Sequence, residues 1–220
     1  MYHPVSLKAL ELLKSEKPLL VGGTKFKISN IEIDIGSKDG LGGLIEEWFG
    51  LWSLQKGLAV HNPKNLGNSQ TFPDYYVGDN KEGLLEIKSF DMDASANFDI
   101  ANFESYCESL SFNPARLDSD YLIFGYRLNG KVLTIGEIWL KKIWEITCPS
   151  KRWPLKTQTK RDQIYNIRPA TWYSNRSRYT SFKTKEEFVN ALYGTQKEYL
   201  GVAESPEENR FRAYGKKQIS

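Results

Sequence analysis

The sequence predicts a mixed α/β (α+β) fold with its elements in the order α-β-β-β-α-β. Apolar residues recur at helical spacing in two segments, and short runs rich in aromatic and branched residues are typical of strands. Polar residues 78–82 separate two of these runs, which predicts a β-hairpin. In chain order we expect helix 39–55, strands 58–60, 72–77 and 83–90, helix 94–110 and strand 120–127. Alternating apolar residues over 24–35 suggest a small hairpin outside this core, and residues 139–146 are expected to form a short helix.

Composition indicates a globular protein. The chain has 220 residues, of which 40% are hydrophobic and 13% aromatic, as is usual for one folded domain. No apolar run approaches the ~20 residues that span a membrane, and the N-terminus lacks a signal-peptide pattern. Cys107 and Cys148 have no metal-binding spacing. We therefore expect a cytoplasmic protein with two reduced, buried thiols and no membrane partner.

Charge is distributed unevenly along the chain. The net charge is +3, but residues 1–110 carry 10 Lys and Arg against 16 Asp and Glu, whereas residues 151–185 carry 10 against 1. Aromatic and amide side chains are interleaved with this basic stretch. Lys and Arg neutralise phosphates, and Arg and Asn read base edges, so the stretch predicts a DNA-binding region; a solvated basic surface is the alternative. The candidate contacts are Lys160, Arg161, Arg168, Asn175, Arg176 and Arg178.

The predicted hairpin concentrates charged residues at one place. Side chains alternate along strand 83–90, so Glu86 and Lys88 share a face. Asp74 lies on the neighbouring strand and can reach the same position. Two carboxylates and a lysine can hold a hard divalent cation and orient a water or a phosphate oxygen. The alternative is an ordinary cross-strand charge pair on a surface hairpin.

Pro73-Asp74 followed by Glu86-Ile87-Lys88 resembles the PD-(D/E)xK nuclease motif in order, residue type and separation. The resemblance implies a restriction-endonuclease-like core, in which helices flank a mixed central β-sheet. It also implies Mg²⁺-dependent hydrolysis of DNA phosphodiesters. It assigns metal binding to Asp74, Glu86 and the Ile87 carbonyl, and it gives Lys88 the task of orienting the attacking water.

A second resemblance lies upstream of the hairpin. Lys38, Gly42, Leu44, Ile45 and Glu46 resemble a helix found in mismatch-repair nicking enzymes and related restriction endonucleases, where the glutamate supports the metal site. The resemblance favours Glu46 as a fourth catalytic residue and leaves Glu47 open as the alternative. The ordinary interpretation of either glutamate is a solvated helix face. Asp39 is the expected cap of this helix, and its glycines suggest close approach by a backbone or a DNA strand. Its expected apolar stripe consists of Leu41, Leu44, Ile45, Trp48 and Trp52.

A third resemblance, to the NgoBV-like group of type II restriction endonucleases, covers most of residues 38–193. The segments that carry it are 139–147, 153–155, 167–169 and 172–174. It implies a site-specific endonuclease that cuts double-stranded DNA, with GGNNCC as the recognition site. It also implies a homodimer, because a two-fold symmetric protein places one catalytic centre on each strand of a palindrome. A monomer that cuts the strands in succession is the alternative.

Together these patterns predict one restriction-endonuclease-like domain over residues 1–220. Its catalytic core covers about residues 38–146, and its basic DNA-binding region about 151–185. Two other function classes remain open: a PD-(D/E)xK repair or nicking nuclease, and a DNA-binding module whose carboxylates are only structural.

Overall fold

The computed structural model describes residues 1–66 and 72–217. The chain divides into two compact units. The first consists of Met1–Ser95 and Asp120–Lys141, and the second of Ala96–Ser119 and Lys142–Ser220. Whether residues 1–220 behave as a single domain stays a prediction.

The helices and strands of the described residues are numbered in chain order. The helices are α1 (Pro4–Glu16), α2 (Leu41–Gln55), α3 (Phe103–Phe112), α4 (Lys185–Leu200) and α5 (Pro206–Lys217). The strands are β1 (Val21–Gly22), β2 (Thr24–Ile28), β3 (Ile31–Ile35), β4 (Val60–His61), β5 (Tyr75–Val77), β6 (Gly83–Asp91), β7 (Ala101–Asn102), β8 (Asp120–Asn129), β9 (Val132–Lys141), β10 (Thr157–Lys160) and β11 (Gln163–Ile167).

The first unit is built on a six-stranded mixed sheet in the order β1-β9-β8-β6-β5-β4. Strands β6 and β8 are parallel, and the other neighbours are antiparallel. The chain passes from β6 to β8 through α3, as a parallel connection requires. The order α2-β4-β5-β6-α3-β8 confirms the predicted mixed α+β fold.

Helix α2 packs one face against this sheet. Leu41, Ile45 and Phe49 recur every four residues and are buried, together with Leu85 and Ile87 of β6. Burying such a side chain contributes about 1.5–3 kcal/mol. The predicted stripe was partly wrong, because Leu44 and Trp48 keep 48% and 37% of their surface exposed. The buried face of α2 is therefore rotated from the predicted stripe toward Phe49.

Glycines set the start of α2 and its distance from the sheet. The helix begins after Gly40, whose φ of 78° is left-handed, so the expected cap at Asp39 is wrong. Among the residues described, no backbone comes close to Gly42 or Gly43: an added Cβ would meet only Ser89 Oγ, at 3.7 Å from Gly42, and nothing at Gly43. Approach by a DNA strand at these glycines stays a prediction. Close approach occurs instead at Gly50, where an added Cβ would lie 2.5 Å from the Tyr75 hydroxyl.

Three other predicted boundaries were wrong. The helix expected at 94–110 begins only at Phe103, because residues 101–102 form β7 and pair with β11. No helix starts at residue 139, since β9 continues to Lys141, paired with Tyr121, before a 3-10 turn at Ile143–Ile146. The strand expected at 58–60 lies at Val60–His61. In each case long-range strand pairing decided the outcome over the local pattern.

The second unit contains the three-stranded antiparallel sheet β10-β11-β7 and helices α3, α4 and α5. Its core includes Tyr106, Phe188 and Tyr193. Cys107 and Cys148 are buried and free, as expected, and burial raises the pKa of both thiols. Across the described part of the chain, no helix has the length and apolar character needed to cross a membrane.

Candidate active site

The hairpin of β5 and β6 brings Asp74 and Glu86 together. Tyr75 is opposite Leu85 in the antiparallel register, so Asp74, one residue earlier, lies beside Glu86. The Asp74 backbone N–H donates to Glu86 Oε1 at 3.2 Å, and the Ile87 N–H donates to Asp74 Oδ2 at 2.8 Å. Each carboxylate is therefore held by an amide of the other's strand, which fixes both side chains.

Lys88 lies between the two carboxylates. Its Nζ is 2.9 Å from Glu86 Oε2 and 3.8 Å from Asp74 Oδ2. The side chains of Lys88 and Glu86 are only 18% and 7% exposed. Burial alone would lower the pKa of the Lys88 ammonium, but the charges of Glu86 and Asp74 outweigh it and raise that pKa. Lys88 is therefore a cation at neutral pH. Its contacts with Glu86 and Asp74 compete with any other cation for these two carboxylates.

Helix α2 adds Glu46 to this group. The Tyr75 hydroxyl donates to the Glu46 carbonyl at 2.8 Å and anchors the helix at this position. Burial raises the pKa of the Glu46 carboxyl, and the charge of Asp74 raises it further. The side chain of Glu46 is 20% exposed, against 57% for Glu47. Glu46 is thus the less exposed of the two glutamates, and its choice as the upstream carboxylate stays a prediction.

Sequence reasoning missed Lys64, on the 3-10 turn Pro63–Leu66. Its Nζ is 3.1 Å from Glu46 Oε1 and 2.7 Å from Glu47 Oε1, and these bonds raise the pKa of its ammonium. Lys64 belongs to no motif, and its position depends on how the loop after β4 folds back onto α2. Local pattern therefore gave no signal for it.

The carboxylates do not form a complete metal cluster. Within residues 1–66 and 72–217, no three His, Cys, Asp or Glu side chains are arranged to hold a metal ion. Lys88 pairs with Asp74 and Glu86, and Lys64 with Glu46. The donor set is nevertheless oxygen-only, which suits a hard divalent cation. The carboxylates can bind such an ion when the ammonium groups of Lys64 and Lys88 no longer pair with them.

Comparison with known proteins identifies the group to which this arrangement belongs. The family model described as NgoBV restriction endonuclease matches residues 6–215. This chain belongs to the NgoBV restriction endonuclease family. The predicted resemblance is therefore confirmed, and it extends beyond residues 38–193.

Individual members of the restriction endonuclease class support the assignment. The type II restriction enzyme NlaIV of Neisseria lactamica is 38% identical over 191 residues, covering 84% of this chain and 77% of the relative. The type II restriction enzyme NgoBV of Neisseria gonorrhoeae is 33% identical over 158 residues, covering 69% and 86%. The solved NlaIV restriction endonuclease superposes with a TM-score of 0.85 at 32% identity, covering 98% of this chain and 90% of that one.

These similarities confirm the restriction-endonuclease-like fold and the predicted enzyme class, a type II site-specific endonuclease. Type II restriction endonucleases act on DNA and generally use a divalent metal ion. The carboxylates Glu46, Asp74 and Glu86 and the ammonium of Lys88 are thus assembled in a protein of the class that the hairpin motif implied.

Five of the six predicted DNA contacts fall in two exposed places of the second unit. Lys160 and Arg161 lie at the turn between β10 and β11, with Lys160 Nζ 6.0 Å from the Tyr165 ring centroid. Asn175, Arg176 and Arg178 are exposed on the irregular segment before α4. Both places leave cationic groups open to solvent, as phosphate contacts require.

Arg168 has a different environment. Its guanidinium is 2.8 Å from Asp99 Oδ1 and donates to the Asn97 carbonyl at 2.7 Å. The side chain is largely shielded from solvent and ties the end of β11 to residues 97–99. A DNA contact at Arg168 stays a prediction, but the residue already has a structural role.

Proposed function

We propose that this chain is a Mg²⁺-dependent endonuclease that hydrolyses phosphodiesters of double-stranded DNA at GGNNCC. The observation that carries the proposal is the mutual clamp between Asp74 and Glu86, closed by Lys88. Here backbone amides hold both carboxylates, and both side chains are largely shielded from solvent, whereas the charges of an ordinary surface pair are exposed. Membership of the restriction endonuclease family supports the substrate class.

Asp74, Glu86 and the Ile87 carbonyl are the groups that would hold Mg²⁺. When bound, the ion supplies Lewis acidity and lowers the pKa of a coordinated water. Lys88, released from Glu86, donates a hydrogen bond to the attacking water or to the phosphate oxygen that gains charge. Glu46 accepts a hydrogen bond from a water at the same centre or holds a second ion. Burial and the charge of Asp74 raise the pKa of its carboxyl, which favours the protonated form relative to an exposed glutamate.

DNA contacts are assigned to the second unit. Lys160, Arg161, Arg176 and Arg178 would neutralise phosphates or read base edges, and Asn175 would read a base through its amide. Arg168 is included as a further contact, with its pairing to Asp99 as a competing role. A homodimer in the cytoplasm would match the two-fold symmetry of GGNNCC with one catalytic centre per strand.

A plasmid of known sequence, digested with Mg²⁺, tests this proposal. We expect fragments with ends only at GGNNCC, and no cleavage by Asp74→Asn, Glu86→Gln or Lys88→Ala proteins that still bind the duplex in Ca²⁺. Nicks independent of sequence would indicate a repair or nicking nuclease instead. No cleavage with any divalent ion would indicate a DNA-binding module without catalysis.

A further inference from the structure

The hairpin of β2 and β3 has one charged face and one apolar face. Its register pairs Lys25 with Asp34 and Lys27 with Glu32 on the charged face. Each strand alternates, so the residues between them share the opposite face. The apolar face consists of the cross-strand pairs Phe26 with Ile33 and Ile28 with Ile31. The hairpin is thus built to bury one side.

The first unit leaves that side open. The four apolar side chains keep between 50% and 68% of their surface exposed. A two-stranded hairpin is only marginally stable by itself, and hairpins are normally stabilised when an apolar face packs against another surface. Among the described residues, β2 and β3 pair only with each other. Within residues 1–66 and 72–217, this face is therefore left largely without cover.

The apolar face continues into a groove. Strand β2 starts at Thr24, which lines an open groove of about 330 Å³ between residues 19–25 and helix α2. Its apolar lining includes Leu19, Val21, Leu44, Trp48, Leu133 and Ile135. The first four of these also stay between 37% and 79% exposed. A partner on this groove would explain why Leu44 and Trp48 are apolar although each keeps more than a third of its surface exposed.

We infer that the apolar face of β2–β3 and the adjoining groove form the two-fold interface of a homodimer. This inference rests on the homodimer in the proposed function and names its surface. Two copies of one patch can meet around a two-fold axis because an isologous interface is self-complementary. The opposite face has equal numbers of cations and anions in its four paired positions, so it adds no net repulsion between copies.

The size of the patch agrees with a second copy as the occupant. The eight exposed side chains, at roughly 100 Å² each, offer about 800 Å², which is what one partner buries in a standard interface. A single monomer rarely exposes more than about 300–600 Å² in one apolar patch. DNA is a poor occupant, since its polyanionic backbone calls for cations rather than Phe and Ile.

Sedimentation of three proteins tests the surface. They are the natural chain, Phe26→Thr with Ile33→Thr on the apolar face, and Lys25→Thr with Glu32→Thr as the matched control on the charged face. Threonine keeps the β propensity at all four positions. We expect the natural chain and the control to be dimers, and the apolar-face variant to dissociate with a constant at least about 100-fold higher.

The outcomes separate the surface from the dimer. A dimeric apolar-face variant overturns the surface and leaves the homodimer standing. A natural chain that stays monomeric, with and without a cognate duplex in Ca²⁺, overturns both. Cleavage at GGNNCC by that monomer would leave the proposed catalytic function intact.

Single cysteines give a readout that does not depend on folding of the threonine variant. Oxidation should link at least one of Phe26→Cys, Ile28→Cys, Ile31→Cys and Ile33→Cys to its own copy. Lys27→Cys, on the charged face, should stay unlinked. The natural Cys107 and Cys148 are buried and should not interfere. Cross-linking through Lys27→Cys alone would overturn the assigned face.

Discussion

Replacing Lys88 with methionine should destabilise the metal-free protein strongly. Methionine keeps the apolar stem of lysine but removes the ammonium 2.9 Å from Glu86 and 3.8 Å from Asp74. At an effective dielectric constant of about 20, these attractions amount to about 6 and 4 kcal/mol before desolvation is subtracted. Breaking a buried pair costs about 3–5 kcal/mol, so we expect a loss of about 3 kcal/mol in this partly exposed group.

Urea unfolding at neutral pH, in EDTA and in Ca²⁺, measures this loss. A divalent ion replaces the missing positive charge, so Ca²⁺ should restore more stability to Lys88→Met than to the natural chain. Lys64→Met is the matched control: it also removes an ammonium from a glutamate pair, but Lys64 is 44% exposed. Its cost should be below about 1 kcal/mol. Equal losses for the two variants in EDTA would refute the argument that Lys88 is the buried counter-ion of the centre.

Three further predictions follow from the two units. Because burial and Asp74 raise the pKa of Glu46 above its ordinary value of 4.5, the charged form costs stability as pH rises through the raised pKa. Glu46→Gln should therefore unfold at a higher temperature than the natural chain at neutral pH, with the advantage shrinking as pH falls through the raised pKa and lost below the ordinary value of 4.5; a constant difference across pH would contradict this. Arg176→Ala and Arg178→Ala should each lower the salt slope of DNA binding by about one unit if the residue contacts a phosphate, as titrations at several salt concentrations would show. Arg168→Ala should lower the free energy of unfolding by about 1–3 kcal/mol, because the contacts of Arg168 with Asp99 and with the Asn97 carbonyl are lost. An unchanged stability in urea would show that Arg168 has no structural role.

The sequence was most informative where function depends on neighbours in one hairpin. Alternation along β6 put Glu86 and Lys88 on one face, and the short turn 78–82 put Asp74 beside them. These relations depend on strand period and turn length alone, both of which are local. The same holds for β2–β3, whose alternation predicted a hairpin.

Relations between distant segments were not accessible in the same way. Lys64 reaches Glu46 because a loop folds back onto a helix, and Arg168 is held by Asp99 from another part of the second unit. The exposed Leu44 and Trp48 fit the helical pattern of a core but face the groove. In each case the surroundings of the side chain are set by tertiary packing rather than by spacing along the chain.

The paired charges around the clamp have a thermodynamic consequence. When ionised, Glu46, Glu47, Asp74 and Glu86 carry four negative charges, and Lys64 and Lys88 return two positive ones. The net negative charge that remains is equal in size to the positive charge of one divalent cation. In the proposed function, a phosphate that approaches this centre would be repelled without the ion and accepted with it. Ion and DNA would then raise each other's affinity by one common factor, since linkage between two ligands is reciprocal.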